Sequence, residues 1–380
     1  MNQVWEVFWR FLLLGCTSFG GPAAHLGYFQ KTFVQENKWI DQEAYARLIS
    51  LSQFLPGPGS SQVGFALGLR RAGLAGGIAA FLGFTLPSFL ILYFLAVMNI
   101  QGEDSIITAV VHGLKLLAVV IVADAVLNMQ RSFCKETSAL YIAIFTAVAL
   151  LLAPGLWTQM SILLLAAGAG ILLYKGEIKT IEKPIKANKL PLITFLVLFL
   201  LLPLLAMMSD WAALFSAFYQ AGSLVFGGGH VVLPLLQQSI GEAISPDRFI
   251  LGYAAAQAIP GPMFTLATFL GADMMENLPL LGAIIATLGV FLPGFLLILS
   301  LQGAWESLAH QSKVAGAVWG INAAVVGLLL AALYQPVFIS TVSSPADMAA
   351  VIIGFFILQR FKPPILLLVA GFALMGILLR

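Results

Sequence analysis

Two short stretches of this sequence place proline on both sides of glycine: Pro56-Gly57-Pro58, inside PGPGSS (56–61), and Pro260-Gly261-Pro262. Proline removes a backbone donor and clashes with the preceding turn, while glycine permits open backbone, so neither stretch is continuous helix. The amides freed at the start of the following half-helix carry the positive end of its dipole, which makes an anion site without a formal charge. Gly57, Gly59 and the hydroxyls of Ser60 and Ser61 would line it in the first copy, and Gly261 with Thr265 in the second. Gln53 stands three residues before the first Pro-Gly-Pro and Gln257 three before the second. Their matched placement suits lining the same cavity, against hydrogen bonding between helices, because an unpaired glutamine in lipid is costly.

Glycine also clusters beside histidine twice, in GGPAAH (20–25) and GGGHVV (227–232). For Gly20 and Gly21, and for Gly227, Gly228 and Gly229, two readings stand: close approach of helices or close approach of backbone to a ligand. His25 and His230 follow at slightly different spacing. Each could couple proton to anion movement, since histidine titrates near about 6.5, or simply bond across helices.

Three further polar groups sit in apolar surroundings. Arg47 lies nine residues before Pro56, about 13 Å along a helix. That puts it near the external interface, to greet an anion or to snorkel to water. Lys115 lies in LKLLAVVIVADAV with His112 one turn away, and an intramembrane lysine suggests charge compensation of a substrate, against snorkelling or pairing elsewhere. Asp124 faces away from Lys115 along the same helix. Asn322 occupies the position in the second half that matches Lys115. Cys16 and Cys134 read as two ordinary buried thiols.

The elements that must position these groups follow from composition. Hydrophobic residues make up 60% of 380 positions and charged ones 9%, against about 25% charged in soluble domains. Apolar runs of about 20 residues recur from end to end, each long enough to cross a hydrocarbon core. The chain reads as an all-α polytopic membrane protein of about thirteen transmembrane helices, among them 4–34, 42–69, 74–98 and 105–129. VWEVFWRFLLLG lacks the charged, apolar, small order of a cleavable leader, so the first span is expected to stay. The lysine-rich stretch 174–189 marks a cytoplasmic loop. Alternation then places the N-terminus inside and the C-terminus outside, with Arg360 and Lys362 inside.

Four pieces recur in the same order: Phe19-Gly20-Gly21 with Phe226-Gly227-Gly228, Gln53 with Gln257, Pro56–Pro58 with Pro260–Pro262, and Leu86-Pro87 with Leu292-Pro293. An odd number of spans separates them, so the halves enter the membrane in opposite orientation, as secondary transporters do. The expected units are a transport repeat over 1–174, a basic linker with a connecting helix over 175–210, and an inverted repeat over 211–380. The Pro-Gly-Pro segments are expected as broken spans rather than re-entrant hairpins. No Walker loop, metal-ligand spacing or nucleophile elbow occurs, so no cofactor and no enzymatic activity are expected.

FGGPAAHLGYFQ, QFLPGPGSSQVGFALGLRRAGLAGG and GFTLPSF, with FGGGHVVLP and AQAIPGPMFTLATFLG in the second half, resemble the chromate transporter family in its long, two-domain members. The resemblance implies export of chromate from the bacterial cytoplasm across the inner (plasma) membrane, with sulfate as competitor. It also implies oppositely oriented halves, alternating access and an ion gradient or exchange as the driving force. The motif positions it carries are Gly20–Pro22, His25, Gln53, Pro56–Gly59, Gly227–His230, Gln257 and Pro260–Pro262. The same scaffold moving sulfate or another small anion, as carrier or channel, stays open, as do a proton or counter-anion as coupling partner and a homodimer. No nucleic-acid partner is expected.

Overall fold

The computed structural model describes residues 2–98, 105–174, 188–225, 232–240, 243–304 and 311–378. They are helical, with no strand among them. Among the described residues four helices are long and apolar enough to cross a membrane: Gly59–Val97, Ala109–Phe133, Pro279–Leu301 and Lys313–Gln335, with mean hydropathy from 2.0 to 2.4. Thr137–Leu152, Thr158–Leu173, Lys189–Leu205 and Ile365–Leu378 are shorter apolar helices, and their outer faces expose large side chains such as Phe145, Leu164, Leu200 and Leu367. This is a polytopic membrane protein.

The first half runs α1 (Gln3–Thr17), α2 (Gly21–Phe29, extended by a π-helical stretch Gln30–Glu36), α3 (Gln42–Phe54), α4 (Gly59–Val97), α5 (Ser105–Phe133), α6 (Thr137–Leu152) and α7 (Leu156–Leu173). A connecting helix α8 (Lys189–Leu205) follows. The second half runs α9 (Asp210–Leu224), α10 (Val232–Ile240), α11 (Pro246–Ala258), a 3-10 turn Met263–Thr265 leading into α12 (Leu266–Met274), α13 (Pro279–Leu301), α14 (Ser312–Ala332), α15 (Pro345–Phe361) and α16 (Ile365–Leu378). The two halves repeat one order, α4 of the first serving as both α12 and α13 of the second because it bends back at Ala72 and Gly73. At that bend Gly68 meets the Gly76 backbone, as Gly271 meets Gly282 in the second half.

The expectation of one span over 4–34 is corrected. Phe11 and Phe29 stand nine residues either side of Gly20, which in straight helix would separate them by about 27 Å, yet their rings are 5.4 Å apart. The chain folds back at Ser18–Gly21, where Gly20 and Gly21 take φ of 98° and 77°. Side-chain-bearing residues rarely adopt that conformation.

The expected broken spans at the Pro-Gly-Pro segments are corrected as well. Arg248 in the first turn of α11 pairs with Asp273 near the end of α12, and Gly252 of α11 lies against Phe269 of α12. These two helices are antiparallel. In the first half Gly59 comes into contact range of Ser52 across the first Pro-Gly-Pro, so the chain reverses there too. Such short helices, 15, 9, 13 and 9 residues in α1, α2, α3 and α12, reach only part of the way across a bilayer. Where proline and glycine end the hydrogen-bond ladder, nothing obliges the next helix to continue along the same axis.

The halves interlock. α5 packs on α15 and α16 of the second half, and α14 packs on α6 and α7 of the first. Glycines make both crossings close: a methyl on Gly113 would overlap the Phe372 carbonyl, and one on Gly320 the Ala166 carbonyl. Small residues at such contacts let backbones approach and gain dispersion energy where lipid offers no hydrophobic driving force.

Candidate functional site

The repeated motifs converge. The Gly57 amide donates to the Val225 carbonyl at 2.7 Å, and the Gly261 amide donates to the Ser18 carbonyl at 3.0 Å. Ser18 and Val225 each immediately precede a Phe-Gly-Gly, so the Pro-Gly-Pro of either half is tied to the glycine motif of the other. Gly57 also lies against Gly294, and Gly261 against Ser88. These are the residues that follow Pro293 and Pro87.

Glycine is required at both points. Gly57 has φ 126° and Gly261 φ 99°. A methyl on Gly57 would stand 2.8 Å from Gln62 Nε2 and 3.0 Å from the Gly294 Cα, and one on Gly261 2.9 Å from Ser88 Oγ.

Side chains of α2 and α4 close the junction. Gln62 Nε2 donates to the carbonyls of Pro56 (2.9 Å) and Gly294 (3.3 Å). Two carbonyl acceptors fix the amide's orientation. Ser60 Oγ lies 3.3 Å from His25 Nδ1, and the His25 ring meets the Phe84 ring edge-on at 5.2 Å, beside the Ser18 backbone. Ser88 Oγ donates to the Thr85 carbonyl. His25, Ser18, Ser60, Ser61, Gln62 and Thr85 are all buried.

Several polar atoms here have no hydrogen-bond partner among the described residues, among them Ser18 Oγ, Ser61 Oγ, Gln62 Oε1 and Thr85 Oγ1. Buried polar atoms are nearly always satisfied, so a cluster of exceptions calls for water or ligand. No side chain caps the start of α4 at Pro58, which leaves its first-turn amides and dipole for that occupant. Hydroxyls, amides and one imidazole, without a fixed cation in these contacts, make a neutral, donor-bearing place suited to an oxyanion.

The other expected site residues sit as follows. Gln53 is exposed. Gln257 donates to Met263 Sδ and meets Tyr253. The Thr265 hydroxyl turns back onto the Pro262 carbonyl. Arg47 lies 3.8 Å from Glu43, one turn away. Lys115 Nζ meets Asp247 Oδ1 of α11 at 2.5 Å, and its neighbour His112 meets Asp347 of α15 at 2.7 Å. Asp124 accepts from Gln359 and Asn128, in keeping with its facing away from Lys115. Asn322 is buried with Oδ1 unpartnered among the described residues. Gly227, Gly228, Gly229 and His230 lie outside the described residues. Both cysteines are free; Cys134 is buried, but Cys16 is exposed, correcting the expectation for it, because it lies on the outer face of α1.

Gln62, Ser18, Thr85, Ser88 and Gly294 were missed from sequence. A signal existed for three of them: Ser18 precedes the first Phe-Gly-Gly, and Ser88 and Gly294 follow the matched Leu-Pro pairs.

The family model described as chromate transporter matches this chain twice, over residues 5–173 and 212–377. A chromate transport protein of Pseudomonas aeruginosa is 28% identical over 346 residues, 85% of this chain and 79% of its own. One of Cupriavidus metallidurans is 26% identical over 375 residues, 97% of this chain and 91% of its own. An uncharacterized transporter of Methanocaldococcus jannaschii is 27% identical over 339 residues, 86% of this chain and 82% of its own. These relatives are named as transport proteins, not enzymes. No solved structure matches the chain.

Proposed function

We propose, from the premise that this chain belongs to the chromate transporter family, that it carries chromate out of the bacterial cytoplasm across the plasma membrane by alternating access. The observation that carries this reading is the reciprocal pair of backbone bonds, Gly57 to Val225 and Gly261 to Ser18. Each half supplies to the other the same kind of donor and acceptor around a buried, polar and incompletely satisfied centre. A two-fold arrangement of that sort lets one repeat rock on the other and open the centre to alternate sides.

The oxyanion would be held by the first-turn amides of α4, by Ser60, Ser61 and His25, and by the two glycine motifs, Gly20–Gly21 and Gly227–His230. Gln53 and Gln257 would line the approaches, and Arg47 would stand at a mouth. A tetrahedral anion needs many donors, and weak individual contacts let it leave again.

In the membrane, α1–α2, α3 with the first segment of α4, α9–α10 and α11–α12 act as half-depth hairpins. The second segment of α4, α5 to α8, and α13 to α16 cross fully. Two reversals in each half leave the side on which later helices emerge unchanged. The N-terminus is therefore cytoplasmic, the C-terminus external, and the halves inverted. Lateral contacts support this assignment. Arg248 at the start of α11 donates to the Ala96 carbonyl at the end of α4, and Asn188 before α8 is bonded to Ser300 at the end of α13. Each of these pairs then lies on one side.

Transport draws on an ion gradient or on exchange. The test is uptake of labelled chromate and labelled sulfate into everted vesicles, with and without an imposed proton gradient. Saturable chromate uptake above empty vesicles supports the proposal. Saturable sulfate uptake with no chromate uptake reassigns the substrate, and uptake of neither overturns the transport reading.

A further inference from the structure

The repeat is broken at a charged place beside α11. Lys115 on α5 and Asn322 on α14 hold matching positions, and so do Asp247 on α11 and Glu43 on α3, which stand thirteen residues before Pro260 and Pro56 respectively. On one side of the molecule the pair is Lys115 with Asp247, at 2.5 Å. On the other side Glu43 stands with Arg47 on its own helix, and the lysine is replaced by a neutral asparagine. The Lys115–Asp247 pair is therefore present in a single half.

Its exposure is lopsided as well. The Lys115 side chain is 11% exposed and the Asp247 side chain 71%. A lysine held in apolar surroundings needs a counter-charge close by. Its present partner sits on the rim, where water can solvate a carboxylate that swings away. Asp247 belongs to the first turn of α11, and the break at Ile259 lies twelve residues further on, about 18 Å along the helix. An oxyanion that reaches the rim beside Asp247 meets the same ammonium group.

Resting on the transport reading, we infer that Asp247 is a resident competitor for the transported oxyanion at Lys115, and that exchange of one anion for the other releases the α11–α12 hairpin from α5. Two anions drawn to one ammonium repel each other, and only the carboxylate has water beside it to move into. Arrival of the oxyanion therefore drives Asp247 out to water and frees the hairpin; departure of the oxyanion lets the carboxylate return. Asp247 sets how tightly the mouth holds its substrate, and Lys115 supplies the charge for which the two compete.

The experiment measures chromate flux in vesicles for wild type, Asp247→Asn, Lys115→Gln, Lys115→Arg and the double variant Lys115→Gln/Asp247→Asn. Removing the competitor in Asp247→Asn lowers KM about tenfold and lowers kcat, because the anion is held and released more slowly. Lys115→Gln raises KM, Lys115→Arg restores most of the wild-type value, and the double variant keeps the high KM of Lys115→Gln. A merely structural pair gives a different pattern: both single variants lose folded protein, the double variant recovers it, and KM stays at the wild-type value throughout. That pattern overturns the inference. The double variant, neutral at both positions and able to keep a hydrogen bond, preserves the test if a single variant fails to fold. Absence of wild-type chromate flux would instead count against the transport reading.

Discussion

The backbone amide of Gly57 donates to the carbonyl of Val225, and in doing so joins the Pro-Gly-Pro turn of one half to the residue that introduces the glycine motif of the other. Gly261 and Ser18 make the same bond with the roles of the halves exchanged. These two amides are therefore engaged, and the donors left for a ligand are those of the helix starts and the buried hydroxyls.

Because Gly57 and Gly261 combine positive φ with close neighbours, alanine at either position is strained twice over. Each substitution should destabilise the protein by about 1–3 kcal/mol. Thermal unfolding of the detergent-purified protein should show similar losses for the two variants. Unfolding at the wild-type temperature for both would show that the reciprocal bonds are dispensable.

Ser60 and Ser61 separate structure from ligand. Ser60 already has His25 as partner, while the Ser61 hydroxyl has none among the described residues. Ser61→Ala should leave the unfolding temperature almost unchanged and reduce chromate flux about tenfold, the worth of one hydrogen bond made only to substrate. Unaltered flux would remove Ser61 from the site.

Gln62 ties the first Pro-Gly-Pro to α13 through the Pro56 and Gly294 carbonyls. Gln62→Leu leaves two buried carbonyls without that donor, at a cost of about 1–3 kcal/mol. Gln62→Glu, ionised, would turn an acceptor toward them and should be the more damaging of the two. Folded yield and unfolding temperature check the order; the reverse order contradicts the assigned amide orientation.

The interlocked helices give a paired expectation. Gly113→Leu and Gly320→Leu each wedge apart a helix of one half from a helix of the other. Both should fail to yield folded protein, whereas Gly168→Leu, with nothing near its Cα hydrogen, should be tolerated. Size-exclusion profiles after solubilisation distinguish the outcomes.

Cys134, between α5 and α6, is buried, and burial pushes its thiol pKa up. A raised pKa means less thiolate at a given pH. Alkylation in the folded protein should therefore lag behind that of the unfolded chain near pH 8. Equal rates in the two states would show that the thiol is open to water.

By itself the sequence determined the helical, membrane-spanning character, the duplication, and the motifs around which the molecule is organised. Apolar content and the local effects of proline and glycine act through neighbouring residues, so one dimension is enough to read them. Only the tertiary structure decided that the chain turns back at Phe19-Gly20-Gly21 and at both Pro-Gly-Pro segments. A lost helical hydrogen bond permits a reversal but does not compel one; packing of Phe11 on Phe29 and pairing of Arg248 with Asp273 select it. The exchange of α5 and α14 between halves, the partner of Lys115, and the meeting of Gln62 with Gly294 rest on contacts between residues far apart in the chain, and no local pattern encodes those.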